Sequence, residues 1–81
     1  MDHDAIKAEL KDIFHHVAPD IEFDQLDLSR PLNDQVEMDS LDFYTMLVHV
    51  HKRMGVNVPD SVLRDLKNIN GLIDYIQNNL R

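Results

Sequence analysis

The chain has 81 residues, with 15 acidic and 8 basic side chains, a formal net charge of −7 and no cysteine. This length predicts a single domain over residues 1–81, and the lack of cysteine excludes disulfides, zinc–thiolate clusters and a protein thiol nucleophile. An acidic surface suits a basic protein patch better than nucleic acid or an anionic membrane. The acids are concentrated in residues 1–42, which carry a net charge of −9, whereas residues 43–81 carry +2.

The sequence has no pattern typical of secretion or membrane insertion. It begins Met1-Asp2-His3-Asp4, which is acidic where a signal peptide is basic. Its longest unbroken apolar run is Met46-Leu47-Val48, whereas a spanning helix needs about 18 apolar residues. We therefore expect a cytoplasmic protein that does not insert into a membrane. We also expect it to be a monomer.

The first predicted helix covers residues 4 to 17. Its apolar residues recur at steps of three and four, which is typical of one buried face. Asp2 or Asp4 is placed to cap its start, and Pro19 prevents it from continuing. Residues 18 to 38 have no clear period but contain scattered apolar side chains, so we predict a long loop that packs back onto the core. These side chains are Ile21, Phe23, Leu26, Leu28, Leu32 and Val36.

The second predicted helix begins near Asp39 and Ser40 and ends at Gly55. Asp39 is a good N-cap, and Asp42 three residues later completes a pair that resembles a capping box. Gly55 is a natural left-handed terminator, and Lys52-Arg53 suits the negative end of the helix dipole. The helix is apolar around much of its circumference, which predicts a central position in the core or an exposed apolar face for a partner.

Two further helices complete the predicted fold. A short helix over residues 60–66 follows Pro59, and a last helix over residues 69–80 is capped by Asn68. The alternating segment Val56-Asn57-Val58 is too short to build a sheet. We therefore predict an all-α fold: a small antiparallel four-helix bundle of three longer helices and one short helix, with a long loop between helices one and two.

A serine at the start of the second helix is the candidate for chemistry. Ser40, in Asp39-Ser40-Leu41, would lie among unpaired backbone N–H groups at the positive end of the helix dipole, where a negatively charged group is well placed. Simple capping is the alternative, because Asp and Ser are both common at helix starts. The other serines, Ser29 and Ser61, do not stand in an Asp-Ser-Leu sequence.

The sequence resembles the acyl carrier protein family along its full length. The likeness is carried by Asp39-Ser40-Leu41, by the turn Gly55-Val56-Asn57-Val58-Pro59-Asp60 and by Ile73-Asp74-Tyr75-Ile76. The resemblance implies that Ser40 accepts 4'-phosphopantetheine from coenzyme A, and that the thiol of this arm carries acyl groups as thioesters. The protein would deliver them to enzymes of fatty-acid, polyketide or related lipid synthesis, and would not itself be an enzyme.

The resemblance also implies roles for residues around the serine. The partners would be a phosphopantetheinyl transferase, and acyl-transferring and synthase enzymes with basic docking patches. Positions that partners contact are matched by Asp39, Leu41, Asp42 and Val48. Positions around the acyl-chain cavity are matched by Val50, Leu63, Leu66 and Leu72. Capping is the alternative role for the two aspartates, and ordinary core packing is the alternative for the cavity residues.

Two features depart from the family pattern. Glu37 stands where a glycine usually precedes the motif, and it would be strained if that position required a positive φ. We expect instead that the loop takes a somewhat different path. Thr45, His51, Lys52 and Arg53 stand at positions that are usually acidic. This predicts a specialised pathway with its own partners, because charge complementarity selects partners.

Other chemistry is disfavoured, and two related functions stay open. Neighbours in His15-His16 and His49-x-His51 point in different directions on a helix, so we predict no metal site. No spacing of serine and histidine indicates a catalytic triad. The open alternatives are a carrier-like module that only docks partners without being modified, and an aminoacyl or peptidyl carrier.

Overall fold

The computed structural model describes residues 1–59, 61–62 and 68–80. These residues form three α-helices and contain no β-strand, so the predicted all-α class is confirmed. The helices are α1 (His3–Val17), α2 (Ser40–Met54) and α3 (Ile69–Asn79). Of the short helix predicted over residues 60–66, only Ser61 and Val62 are described, and both are helical. The count of four helices and their antiparallel arrangement stay predictions.

Each of the three helices begins at a side chain that the sequence identified as a cap. A side-chain oxygen accepts a hydrogen bond from the backbone N–H three residues later, which satisfies one of the N–H groups left unpaired in the first turn. The pairs are Asp2 and Ala5 at 2.8 Å, Asp39 and Asp42 at 2.8 Å, and Asn68 and Gly71 at 2.7 Å. Because each cap lies within three residues of the group it satisfies, the helix starts follow from local sequence.

The core is formed where α1 packs against α2 and α3. Its centre is apolar throughout: Phe14 of α1, Met46 and Val50 of α2, and Ile73 and Ile76 of α3 are at most 1% exposed. Each such side chain contributes roughly 1.5–3 kcal/mol by leaving water. Burial of these residues determines which face of α2 points inward and therefore which face stays exposed.

The segment between α1 and α2 packs against the core, as predicted. It contains two unpredicted 3₁₀ turns, Phe23–Gln25 and Leu32–Asp34. Phe23 and Leu32 are each 5% exposed, and the ring centroid of Phe23 lies 5.4 Å from that of Phe14. Gln35 stabilises the loop, because its side-chain oxygen accepts from the Asp27 N–H at 2.7 Å and its Nε2 donates to the Asp27 carbonyl oxygen at 2.8 Å.

The same segment is also bonded to the start of α3. The Asn70 N–H donates to the Leu28 carbonyl oxygen at 3.0 Å, and Asn68 Nδ2 donates to the Ser29 carbonyl oxygen at 3.3 Å. The loop is therefore held at its middle by α3 and internally by Gln35.

Candidate functional site

Ser40 is the first residue of α2 and is exposed to solvent. Its Oγ makes no hydrogen bond with any described residue. Ser29 is also exposed, but its Oγ donates to Asp27 Oδ1 at 2.6 Å. Ser61 is exposed as well. Of Ser29 and Ser40, only Ser40 combines exposure, an unengaged hydroxyl and a position at a helix start.

The backbone around Ser40 is the open end of a capped helix. The Asp39 carboxylate accepts from the Asp42 N–H at 2.8 Å, and the Asp39 carbonyl oxygen accepts from the Phe43 N–H at 3.2 Å. The N–H groups of Ser40 and Leu41 come before the first residue that such bonds can reach, so they point out of the helix end. Within the described residues, the reverse bond from the Asp39 N–H to Asp42 does not form, so only half of the predicted capping-box pair is present.

An open groove with an acidic rim lies beside Ser40 between the preceding loop and α2. It combines the half-buried apolar side chains of the loop with carboxylates on the loop and on the first turn of α2. Among the described residues, its lining is formed by Asn33, Val36, Glu37, Met38, Asp39 and Asp42. The attachment serine predicted from the sequence is therefore surrounded by negative charge.

This environment fits a covalently attached phosphodiester better than a free phosphate ion. The outward N–H groups and the helix dipole favour a negative group at Ser40, whereas the carboxylates of Glu37, Asp39 and Asp42 oppose it. A covalent bond to Ser40 Oγ holds the phosphate in place without requiring net attraction. When bound, a phosphopantetheine arm would supply the thiol that this cysteine-free chain lacks.

Of the partner-contact residues predicted from the sequence, Leu41, Asp42 and Val48 lie on α2, and Asp39 directly precedes it. Leu41 is 70% exposed, Val48 is half-buried, Asp39 is exposed and Asp42 is half-buried. Tyr44, which is 61% exposed, is not one of the partner-contact positions predicted from the sequence. The helical period places Tyr44 on the same face as Leu41 and Val48, because the three fall within about 60° of one another at 3.6 residues per turn. Its exposure is decided by how α2 packs.

Val50 and Leu72, two of the four predicted cavity residues, do not line the groove beside Ser40. Val50 is fully buried and Leu72 is 4% exposed, and both belong to the core cluster. Leu63 and Leu66 lie outside the described residues. In the structure, Val50 and Leu72 pack in the core. A role of the four residues around an acyl chain stays a prediction.

The far end of α2 is less basic at its surface than its sequence indicates. Arg53 Nη1 donates to Asp12 and, at 3.4 Å, to Glu9 Oε2, both on α1. The hydrogen bond from Arg53 lowers the pKa of Asp12, and the same bond raises the pKa of Arg53. His51 and Lys52 are exposed, and among the described residues neither forms an ion pair. Lys52 is therefore the positive charge that this end of α2 presents.

Glu37 is accommodated without a left-handed backbone. The single described residue with positive φ is Gly55, at 70°, which ends α2 as predicted. The strain considered for a non-glycine residue at position 37 is therefore absent.

In the described ranges, no group of three or more His, Cys, Asp or Glu side chains is arranged to hold a metal ion. None of the described helices has the length and apolar character needed to cross a membrane.

The chain is similar to a known protein family and to several acyl carrier proteins. A family model described as "Phosphopantetheine attachment site" matches residues 4–76. The acyl carrier protein of Renibacterium salmoninarum is 28% identical over 51 residues, covering 63% of each chain. That of Thermobifida fusca is 39% identical over 44 residues, covering 54% of this chain and 56% of the relative. The mitochondrial acyl carrier protein of Saccharomyces cerevisiae is 29% identical over 76 residues, covering 94% of this chain and 57% of the relative.

The match spans less than two thirds of the length of each of these three relatives, while the family model covers most of the present chain. The family model, together with the acyl carrier protein relatives, confirms the predicted cofactor, a covalently attached 4'-phosphopantetheine. Members of the family are carriers and not enzymes, as predicted, and they interact with phosphopantetheinyl transferases and acyl-handling enzymes. The chain belongs to the acyl carrier protein family.

Proposed function

We propose that Ser40 is the attachment point of the arm, and that the arm thiol carries acyl intermediates as thioesters between partner enzymes. The observation that carries this proposal is the exposed, unengaged Ser40 hydroxyl at the first residue of α2. It directly precedes Leu41, which is 70% exposed. An enzyme that docks on the start of α2 therefore meets the serine without moving any buried side chain.

The attachment is a phosphoryl transfer from coenzyme A. The Ser40 oxygen forms a new bond to the phosphorus that bears pantetheine, and the bond from that phosphorus to adenosine 3',5'-bisphosphate breaks. The serine proton leaves to a base of the transferase. Ser40 is then the anchor of the arm, and the acyl chemistry takes place at the arm thiol in the active sites of partner enzymes.

The proposed cargo is an acyl intermediate of fatty-acid, polyketide or related lipid synthesis in a specialised pathway. The charge of α2 supports this specialisation, because its first turn is acidic whereas its exposed last turn carries Lys52 and His51. Partners that require acid along the whole helix would dock poorly on such a surface. We further propose that residues 1–81 form one carrier domain that acts as a monomer.

Intact-mass spectrometry tests the attachment site. The wild-type protein, Ser40→Ala and Ser29→Ala are each incubated with coenzyme A and a broad-specificity phosphopantetheinyl transferase. We expect one added phosphopantetheinyl group on the wild type and on Ser29→Ala, and none on Ser40→Ala. Ser29→Ala is the matched control because Ser29 is an exposed serine whose hydroxyl is already bonded to Asp27.

Modification of Ser40→Ala would contradict the proposal directly. An unmodified wild type, with the transferase active on another carrier and the protein also unmodified in its host, would favour the docking module. Once the arm is attached, loading separates the remaining alternatives. We expect fatty or polyketide-type acyl groups to form a hydroxylamine-sensitive thioester, and exclusive loading by amino acids would favour the aminoacyl or peptidyl carrier.

A further inference from the structure

The solvent-facing side of α2 carries two neighbouring exposed apolar side chains. Met1, Leu41 and Tyr44 are the large hydrophobic residues exposed in the described part of the chain, and two of them lie one turn apart on α2. Val48, half-buried, continues the same face by one more turn. Apolar side chains grouped beside a reactive position are typical of a surface that a partner covers.

This face changes sign along its length. Its start is flanked by Glu37, Asp39 and Asp42, whereas residues 43–54 contain no acidic residue at all. At 3.6 residues per turn, Lys52 lies within about 20° of Leu41, on the exposed side. Arg53 does not add to this charge because Glu9 and Asp12 of α1 engage it. The face therefore runs from acid, through Leu41, Tyr44 and Val48, to a single exposed lysine.

The two charged ends act as separate contacts. Asp42 and Lys52 are ten residues apart, which is about 15 Å along a helix axis. The Debye length at physiological ionic strength is about 8 Å, so a charge placed opposite one end is largely screened from the other. A partner that is uniformly basic would gain at the acidic end and be repelled at Lys52.

We propose that the enzymes that use this carrier have a two-signed docking surface: basic groups opposite Asp39 and Asp42, an apolar patch opposite Leu41 and Tyr44, and an acidic group opposite Lys52. This inference rests on the proposed function of Ser40. The sign change orients α2, because a partner docked in the reverse direction would place like charges together at both ends. The sign change also selects against uniformly basic partners, because Lys52 repels a basic group placed opposite it.

A second copy of the chain, packed antiparallel on the same face, could also match acid with lysine. That arrangement would cover Ser40, which sits beside Leu41 at the acidic end. It would keep a phosphopantetheinyl transferase from reaching Ser40. A partner enzyme therefore fits this face better than a second copy does. Sedimentation at assay concentration distinguishes the two, since a wild-type dimer that Lys52→Glu dissociates would overturn the proposal.

A charge-reversal experiment provides the main test. The probe is a purified acyl-handling synthase whose docking surface is uniformly basic, and the readout is kcat/KM for acyl transfer from the loaded carrier. The variants are Lys52→Glu and, as matched control, Lys7→Glu, an equal charge change at an exposed lysine of α1. We expect Lys52→Glu to raise kcat/KM about tenfold at low salt, and Lys7→Glu to change it by less than about twofold.

The reciprocal experiment reverses single basic residues on the docking surface of the synthase. One such reversal should improve transfer from the wild type and impair transfer from Lys52→Glu. Equal responses of Lys52→Glu and Lys7→Glu, or no discriminating reversal on the synthase, would overturn the two-signed surface.

Circular dichroism and intact mass keep the outcomes distinct. Each variant is first shown to melt as the wild type does and to carry the arm on Ser40. Loss of loading in the wild type would refute the proposed function together with this inference. Loaded variants whose transfer is insensitive to charge would refute the two-signed surface alone.

Discussion

The two ends of α2 are built in different ways. At its start, Asp39 caps a backbone N–H three residues away, and the adjacent Ser40 stays exposed. At its end, Arg53 donates to Asp12 and Glu9, which lie 41 and 44 positions away in the sequence. The end that carries Ser40 is therefore assembled from neighbouring residues, whereas the charge left at the other end depends on how α1 packs. The comparison shows that two residues of equal sequence charge, Lys52 and Arg53, are not equally available to a partner.

Of the changes that test this comparison, replacing the residue that ends α2 should have the largest effect on the free energy of unfolding. Gly55 has φ of 70°, and a Cβ added there would meet no atom within 4 Å. The cost of Gly55→Val is therefore one of backbone conformation, roughly 1–2 kcal/mol in free energy of unfolding. Urea unfolding measures it. Gly55→Asn is the control and should lose much less, because asparagine tolerates the left-handed region; equal losses in both variants would refute the backbone explanation.

Removing the side-chain cap at the start of α2 should lower the free energy of unfolding by slightly less. Asp39→Ala removes the acceptor for the Asp42 N–H, and loss of such a cap destabilises a protein by about 1 kcal/mol. Asp39→Asn keeps a capping oxygen but removes the charge, so it should preserve the free energy of unfolding measured in urea.

The same pair of variants separates the two roles considered for Asp39. If the carboxylate also contacts basic partners, Asp39→Asn should still slow transfer of the arm by the transferase. A normal rate for Asp39→Asn would leave capping as the role of Asp39.

The smallest effect is expected from the contact between α1 and the end of α2, and it depends on pH. The bond from Arg53 lowers the pKa of Asp12 below its usual 3.8. A carboxyl whose pKa is lowered by folding stabilises the protein above its unfolded pKa, and this contribution is lost as the pH falls through the folded value. Arg53→Gln should therefore be less stable than the wild type at neutral pH, and the two should converge below about pH 3.8.

Thermal unfolding between pH 2 and pH 7 measures this convergence. Lys52→Gln is the control, since it removes a neighbouring charge that has no ion-pair partner among the described residues. The difference between Arg53→Gln and the wild type should also shrink at high salt, because the pair is exposed. A difference that is constant from pH 2 to pH 7 would contradict a role for the Arg53–Asp12 bond.

The helices were predictable because their signals are local. The prediction of residues 4 to 17 corresponds to α1 at His3–Val17, and that of residues 69 to 80 corresponds to α3 at Ile69–Asn79. Periodic apolar residues and a capping side chain within three positions of its target are sufficient for this. The loop before α2 was only partly predictable. Its apolar side chains pack on the core as predicted, but its 3₁₀ turns and the bonds made by Gln35 need a folded chain around them.

The sequence by itself determined where α2 starts and ends, that Ser40 opens it, and that acid precedes it, since each of these depends on residues within a few positions. Only the tertiary structure decided that Leu41 and Tyr44 stay exposed while Val50 is buried, and that α1 engages Arg53 but not Lys52. The physical reason is that burial and ion pairing join residues distant along the chain, and their geometry exists only after α1, α2 and α3 have packed together.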